Sequence, residues 1–183
     1  SNGSNSGSSY VVFGKTGGFD AVLDLADLGS NGFRLDGAAA GDFSGAAVSA
    51  AGDINGDGFD DVIIGAPQAD PGARGNAGST YVVFGKAGGF AASLDLATLD
   101  GSNGFRLDGI AANDQSGGAV SAAGDVNGDG FDDLLIGAAL ADPDGTLYAG
   151  STYLVFGRAD GFAAAIDLAE IDGRDGVRFD GSA

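Results

Sequence analysis

The sequence has no cysteine and no histidine, three prolines, and eight basic residues against 26 acidic ones. Without Cys or His there is no disulfide framework, no thiol nucleophile, no imidazole base and no ordinary zinc site. A net charge of −18 excludes nucleic-acid binding through phosphates and electrostatic attachment to an anionic membrane. No apolar stretch is long enough to insert directly into a membrane. Position 1 is not Met and no signal-peptide core follows, so the chain reads as processed or cut from something longer. What is abundant is glycine, 36 residues in 183, together with Asp, Asn and Ser. That composition suits a secreted or cell-surface bacterial protein held by ions instead of disulfides.

Two nine-residue loops carry the only chemistry with a specific spacing: Asp53-Ile54-Asn55-Gly56-Asp57-Gly58-Phe59-Asp60-Asp61 and Asp125-Val126-Asn127-Gly128-Asp129-Gly130-Phe131-Asp132-Asp133. Each places an oxygen-bearing side chain at alternate positions, then a glycine, then a further acid. Ca²⁺ takes six to eight oxygen ligands at about 2.3–2.6 Å in a flexible shell. Asp53, Asn55 and Asp57 would supply three side-chain ligands, the Phe59 carbonyl a fourth, and Asp61 would close the shell. Gly58 permits the bend. Asp125, Asn127, Asp129, the Phe131 carbonyl and Asp133 form the second set. Asp60 and Asp132 fall between ligand positions and read as outer-shell or surface acids. Mg²⁺ demands tighter octahedral geometry, and turn formation alone does not account for the same ligand spacing appearing twice. An EF-hand would need Glu at loop position twelve, where Ile64 and Ile136 stand. The short aliphatic runs after each loop read as buried strands.

The loops recur at a 72-residue interval, as do Phe84 and Phe156, and the Phe33-Arg34-Leu35-Asp36-Gly37 segment returns at Phe105 and, as Val-Arg-Phe-Asp-Gly, at Val177. One unit reads as four short strands: Ala46 to Ala51, Val62 to Gly65, Thr80 to Phe84 and Gly104 to Asp108. A linker holding Leu94, Leu96 and Leu99 has room for one helical turn. Four short strands per repeat with periodic glycine and aromatic residues is the signature of a β-propeller blade. The fold class is therefore all-β, with two full blades (45–109 and 117–181), a half-blade of the last two strands (10–37), and a polar linker (1–9).

In these residues the chain resembles the FG-GAP repeats of the integrin α-subunit β-propeller and its bacterial relatives. The Phe-Gly pairs are Phe13-Gly14, Phe84-Gly85 and Phe156-Gly157; the Gly-Ala-Pro element is Gly65-Ala66-Pro67, altered to Gly137-Ala138-Ala139. The resemblance runs from Tyr10 onward. It implies Ca²⁺ at two sites, each between the first two strands of a blade, in a ring of about seven blades used outside the cell for adhesion or protein interaction. Two complete units cannot close such a ring. The expected partners are other copies of the chain or further blades of a longer one, in a closed assembly or an open fibre, with a surface protein or glycan as ligand.

Catalysis is not expected. Ser44, Ser49, Ser116 and Ser121 have no base at motif spacing, and the acids cluster in the loops. Phe59, Phe131, Phe84, Phe156, Tyr81 and Tyr153 recur in register and read as packing between blades. Arg34, Arg106 and Arg178 read as partners of a nearby Asp. The Asp142 to Tyr148 insertion is the expected place for variable contacts. An accessory module of a secreted hydrolase or lyase is the alternative reading.

Overall fold

A computed structural model describes residues 2–182. Twelve β-strands fall in three sheets, and the only helical pieces among the described residues are five three-residue 3-10 turns. Among the described residues no helix is long and apolar enough to cross a membrane.

The first complete sheet is built from β3 (Ala47–Gly52), β4 (Asp61–Ala66), β5 (Ser79–Val83) and β7 (Gly104–Asp108), each antiparallel to its neighbour. β3 is made of small residues, Ala-Val-Ser-Ala-Ala-Gly, which suit the crowded innermost position. β4 and β5 are continuous apolar or small runs because neighbouring layers cover both faces. The second complete sheet repeats the plan with β8 (Ala119–Gly124), β9 (Asp133–Ala138), β10 (Ser151–Val155) and β12 (Gly176–Asp180). In both sheets the register shifts just before the loop, between Ala50 and Gly52 and between Ala122 and Gly124. Gly52 and Gly124 sit there at φ 69°, as a bulge requires. The two complete sheets pack with β3 against β8. Ile54, Ile63, Val82, Phe105, Leu107, Leu134, Ile136 and Tyr153 form one shared core between them.

The third sheet pairs β1 (Ser8–Val12) with β2 (Gly32–Asp36) in the register that relates β5 to β7. It lacks inner strands, so Tyr10, Val12 and Phe13 are exposed. A cleft of about 710 Å³ lies between β1 and the β3 side of the next sheet, lined in part by Tyr10, Val12, Val48 and Val62.

Two features depart from the sequence reading. Residues 2–9 are not a free linker, and Ser1 lies outside the described residues. Gly7 bridges to Ser44, and Ser8 and Ser9 open β1. Polar composition hid this because the pairing is made by backbone and by polar side chains, Asn2 donating to Gly37 O and Ser8 to Asp36, with no apolar pattern to signal it. The Leu94–Leu99 segment does hold one helical turn, Leu96–Thr98, but it is preceded by a strand, β6 (Ser93–Asp95), which the reading lacked. β6 runs parallel to β2 of the preceding sheet, and its counterpart β11 (Ala165–Asp167) runs parallel to β7. Each repeat thus clasps the outer edge of the one before it.

Candidate metal centre

The loop between β3 and β4 is a chain of turns in which each acidic or amide side chain caps the backbone ahead of it. Asp53 accepts from the N–H of Asp57 (3.0 Å) and of Gly58 (2.9 Å). Asn55 Oδ1 accepts from the same Asp57 N–H at 3.0 Å, and Asp57 Oδ1 accepts from Phe59 N–H at 2.9 Å. The second loop repeats this. Asp125 accepts from the N–H groups of Gly128 (2.7 Å), Asp129 (3.1 Å) and Gly130 (2.9 Å), Asn127 accepts from Asp129 N–H (3.0 Å), and Asp129 accepts from Phe131 N–H (3.0 Å). Two carboxylates and an amide oxygen are therefore folded onto the backbone of one short loop in each copy, at the surface. The donor set is all oxygen, which fits a hard cation and no other common protein metal. In both loops the Asn amide Nδ2 also donates to the third-position carboxylate, at 3.1 and 2.9 Å.

Asp61 and Asp133 are placed differently from the other three. Asp61 is buried, and its two oxygens accept from Ile54 N–H (3.1 Å) and Gly85 N–H (2.8 Å). Asp133, also buried, accepts from Val126 N–H (2.8 Å) and Gly157 N–H (3.0 Å). Each acid thereby ties the start of its loop to the glycine of the Phe-Gly pair at the end of the third strand. Among the described residues no group of three or more His, Cys, Asp or Glu side chains is arranged to hold a metal. Asp61 and Asp133, the ninth residues of the loops, act as braces in this geometry. Burial pushes the Asp61 carboxyl up to about 7; the charges of Asp57 and Asp53 add to the shift, and the two backbone donors oppose it.

Asp132, read from the sequence as an outer-shell or surface acid, reaches across to the neighbouring blade. Its carboxylate leaves its own loop and accepts from Asp53 N–H of the preceding blade at 2.9 Å, while Asp132 N–H donates to Asp53 O at 3.3 Å. Arg158 N–H donates to Ile54 O at 2.9 Å. A Cβ on Gly56 would lie 2.3 Å from the Phe131 ring, and one on Gly52 would lie 2.1 Å from Asp132 Oδ2. The second loop thus docks onto the first, with two glycines providing the space. Asp60 and Phe59 occupy the same positions in the first loop but face solvent, since the half-blade has no inner strands to meet them. Packing between blades accordingly holds for Phe131 and not for Phe59. The docking signal in the sequence was the glycine just before each loop and the one at its fourth position.

The three arginines pair as expected, Arg34 with Asp36 (2.9 Å), Arg106 with Asp108 (2.6 Å) and Arg178 with Asp180 (2.8 Å). In the Asp142–Tyr148 insertion, Leu147 and Tyr148 are exposed.

Four-stranded antiparallel sheets stacked side by side, each with an Asp-x-Asn-x-Asp loop between its first two strands, define a class of blade-repeat proteins. Within it, the FG-GAP repeat family model matches residues 44–83 and 116–155. The chain thus carries two FG-GAP repeats and is similar in them to integrin α-subunits. It is 32% identical over 109 residues to phosphatidylinositol-glycan-specific phospholipase D of Bos taurus, covering 60% of this chain and 13% of that protein. It is 32% identical over 120 residues to integrin alpha-PS2 of Drosophila melanogaster, covering 63% of this chain and 8% of the integrin. Integrin alpha-E of Mus musculus is 39% identical over 98 residues, covering 51% and 8%. The chain thus spans only a small part of the length of the curated relatives it matches.

Proposed function

We propose that these residues form a calcium-stabilised, extracellular interaction module, working as part of a larger or self-associating assembly of repeats in adhesion or protein contact. One observation carries the reading: in both loops the side-chain oxygens of the first, third and fifth residues are all held against N–H groups of the same short loop. Two close carboxylates repel one another, and a divalent cation between them removes that cost, so binding stabilises the fold. Asp53, Asn55 and Asp57, and Asp125, Asn127 and Asp129, are the residues that would hold Ca²⁺; the Phe59 and Phe131 carbonyls and Asp61 and Asp133 complete the proposed sets. The ion's contribution is structural. With no His or Cys in the chain and the acids engaged in the loops, no catalytic role is assigned to these residues. Exposed Leu147 and Tyr148 offer the variable contact for a surface protein or glycan ligand.

Similarity to phosphatidylinositol-glycan-specific phospholipase D favours a second reading, an accessory module attached to a secreted hydrolase or lyase. In both readings the loops hold the fold and another surface or domain does the work. Calorimetric titration with Ca²⁺ tests the shared premise. The chain should bind two ions and Asp57→Ala one. An unaltered thermogram for Asp57→Ala, or no binding by the parent chain, would contradict it.

A further inference from the structure

The first two residues of the first loop are held by the second repeat. Asp53 and Ile54 present four backbone hydrogen-bonding groups, and three of them are paired across the blade boundary. Asp53 N–H donates to Asp132 Oδ2 at 2.9 Å, Asp53 O accepts from Asp132 N–H at 3.3 Å, and Ile54 O accepts from Arg158 N–H at 2.9 Å. The fourth group, Ile54 N–H, goes to Asp61 of its own loop at 3.1 Å. Ile54 is sealed beneath these contacts at 0% exposure. Asp53 is also the residue whose carboxylate caps Asp57 N–H and Gly58 N–H, so its backbone position sets where the rest of the loop folds.

The residues that reach across are in turn tied to the second loop. Asp132 stands between Phe131, whose carbonyl belongs to the second proposed calcium set, and Asp133, which closes that set. Asp133 accepts from Val126 N–H (2.8 Å) near the start of the second loop and from Gly157 N–H (3.0 Å), the residue before Arg158. The Phe131 ring faces Gly56 of the first loop, where a Cβ would lie 2.3 Å from it. One joint therefore fixes Phe131, Asp132 and Arg158 against Asp53, Ile54 and Gly56. Both of its halves belong to complete four-stranded blades.

We infer that Asp132 is a positioning residue for the calcium site of the preceding repeat, so that the two sites fill with positive coupling. This rests on the calcium reading above and adds a linkage between its two sites. When the second loop is filled, the Phe131 carbonyl and Asp133 are fixed, and Asp132 between them is held ready for Asp53 N–H. The first loop then meets its ion with its opening residues already placed, and loses less conformational entropy on binding. By linkage, filling the first loop favours the second by the same factor. Repulsion between the two bound cations acts the other way. At loops on the surface it is screened over about 8 Å at physiological ionic strength, so ordering decides the sign. The expected coupling is about tenfold, within the range typical of linked sites.

Calorimetric titration with Ca²⁺ in near-physiological salt tests the coupling on the parent chain and on two variants that each remove one site. Asp129→Ala leaves the first site and Asp57→Ala the second. The product of the parent's two association constants should exceed the product of the two single-site constants by about tenfold. In an Asp132→Ala background every proposed ligand remains, so stoichiometry should stay at two while that ratio falls to one. Asp132→Asn keeps an acceptor oxygen for Asp53 N–H and should retain most of the coupling. Hydrogen exchange reads the same joint without a second ion: in Asp57→Ala, filling the second site should slow exchange of the Asp53 and Arg158 amides. A parent ratio of one or below, a ratio that survives Asp132→Ala, or unchanged exchange at Asp53 would overturn the inference and leave two calcium sites standing. A parent chain that binds no calcium would overturn the calcium reading and the coupling with it.

Discussion

Gly52 and Gly124 occupy the same place in two nearly identical loops, both at φ 69°, and differ only in what faces them. A Cβ on Gly52 would lie 2.1 Å from Asp132 Oδ2, whereas a Cβ on Gly124 meets nothing within 4 Å. Alanine at either position has to adopt a left-handed conformation, at about 1–2 kcal/mol. At Gly52 it must also push aside the carboxylate that accepts from Asp53 N–H, and losing a hydrogen bond to a charged group costs about 1.5–3 kcal/mol. Gly52→Ala should therefore cost about 2 kcal/mol more than Gly124→Ala. For a chain of this size that is a gap of about 4–8 °C in melting temperature. Thermal unfolding in saturating Ca²⁺ is the assay. The double change Gly52→Ala with Asp132→Ala should cost clearly less than the two single losses added, because either change alone breaks the same contact. Equal losses for the two glycines, with an additive double variant, would refute the inter-blade bond.

Chelation gives the next expectation. Two sites each saturated about a hundredfold above their dissociation constant add about 5 kcal/mol, so excess EDTA should lower the melting temperature by about 10–20 °C; an unchanged melting curve would remove calcium from the fold. Asp61→Asn leaves one acceptor oxygen where Ile54 N–H and Gly85 N–H now each have one. It should cost about 2 kcal/mol, against less than about 0.5 kcal/mol for the exposed Asp60→Asn. The Asp61 loss should persist in EDTA; its disappearance there would show that the side chain acts only through the metal.

The twin loops, the repeat interval and the four strands of a blade were legible because they are local. Alternating oxygens, a glycine at the bend and short aliphatic runs each announce themselves within a few residues. The clasp strands were not legible. Ser93–Asp95 is three residues long and is held by a parallel pairing to a strand about sixty residues earlier, while Leu94, Leu96 and Leu99 keep no strand alternation. Asp60 and Asp132 have the same neighbours in sequence and opposite surroundings in space. Reading one repeat cannot show what the adjacent blade brings to it, and Ile54 and Val126 make the same point at 0% and 57% exposure. Residues 2–9 were missed for a simpler reason: a Ser/Asn/Gly run pairs through its backbone as readily as any other.

The recurring elements of this repeat are parts of one joint. A Cβ on Gly85 would lie 2.4 Å from Asp60 O, and one on Gly157 would lie 2.3 Å from Asp132 O and 2.8 Å from Ile54 O. The glycine of the Phe-Gly pair is thus the space that the loop needs to lie against the third strand, and the buried acid that ends the loop fastens it there. The glycine of Gly65-Ala66-Pro67 has a parallel duty toward the next blade, since a Cβ on it would lie 1.9 Å from Gly117 O. Gly137 meets nothing closer than Ala119 Cβ at 3.4 Å among the described residues. Each loop is therefore bonded to its own blade and, through Asp132 and Asp53, to the other loop. Disorder in either loop has a direct route into the other blade, through the bonds between Asp132 and Asp53 and, for the first loop, through Arg158 as well. Whatever docks on the second blade inherits that connection, and an added repeat stabilises the loop before it as well as its own.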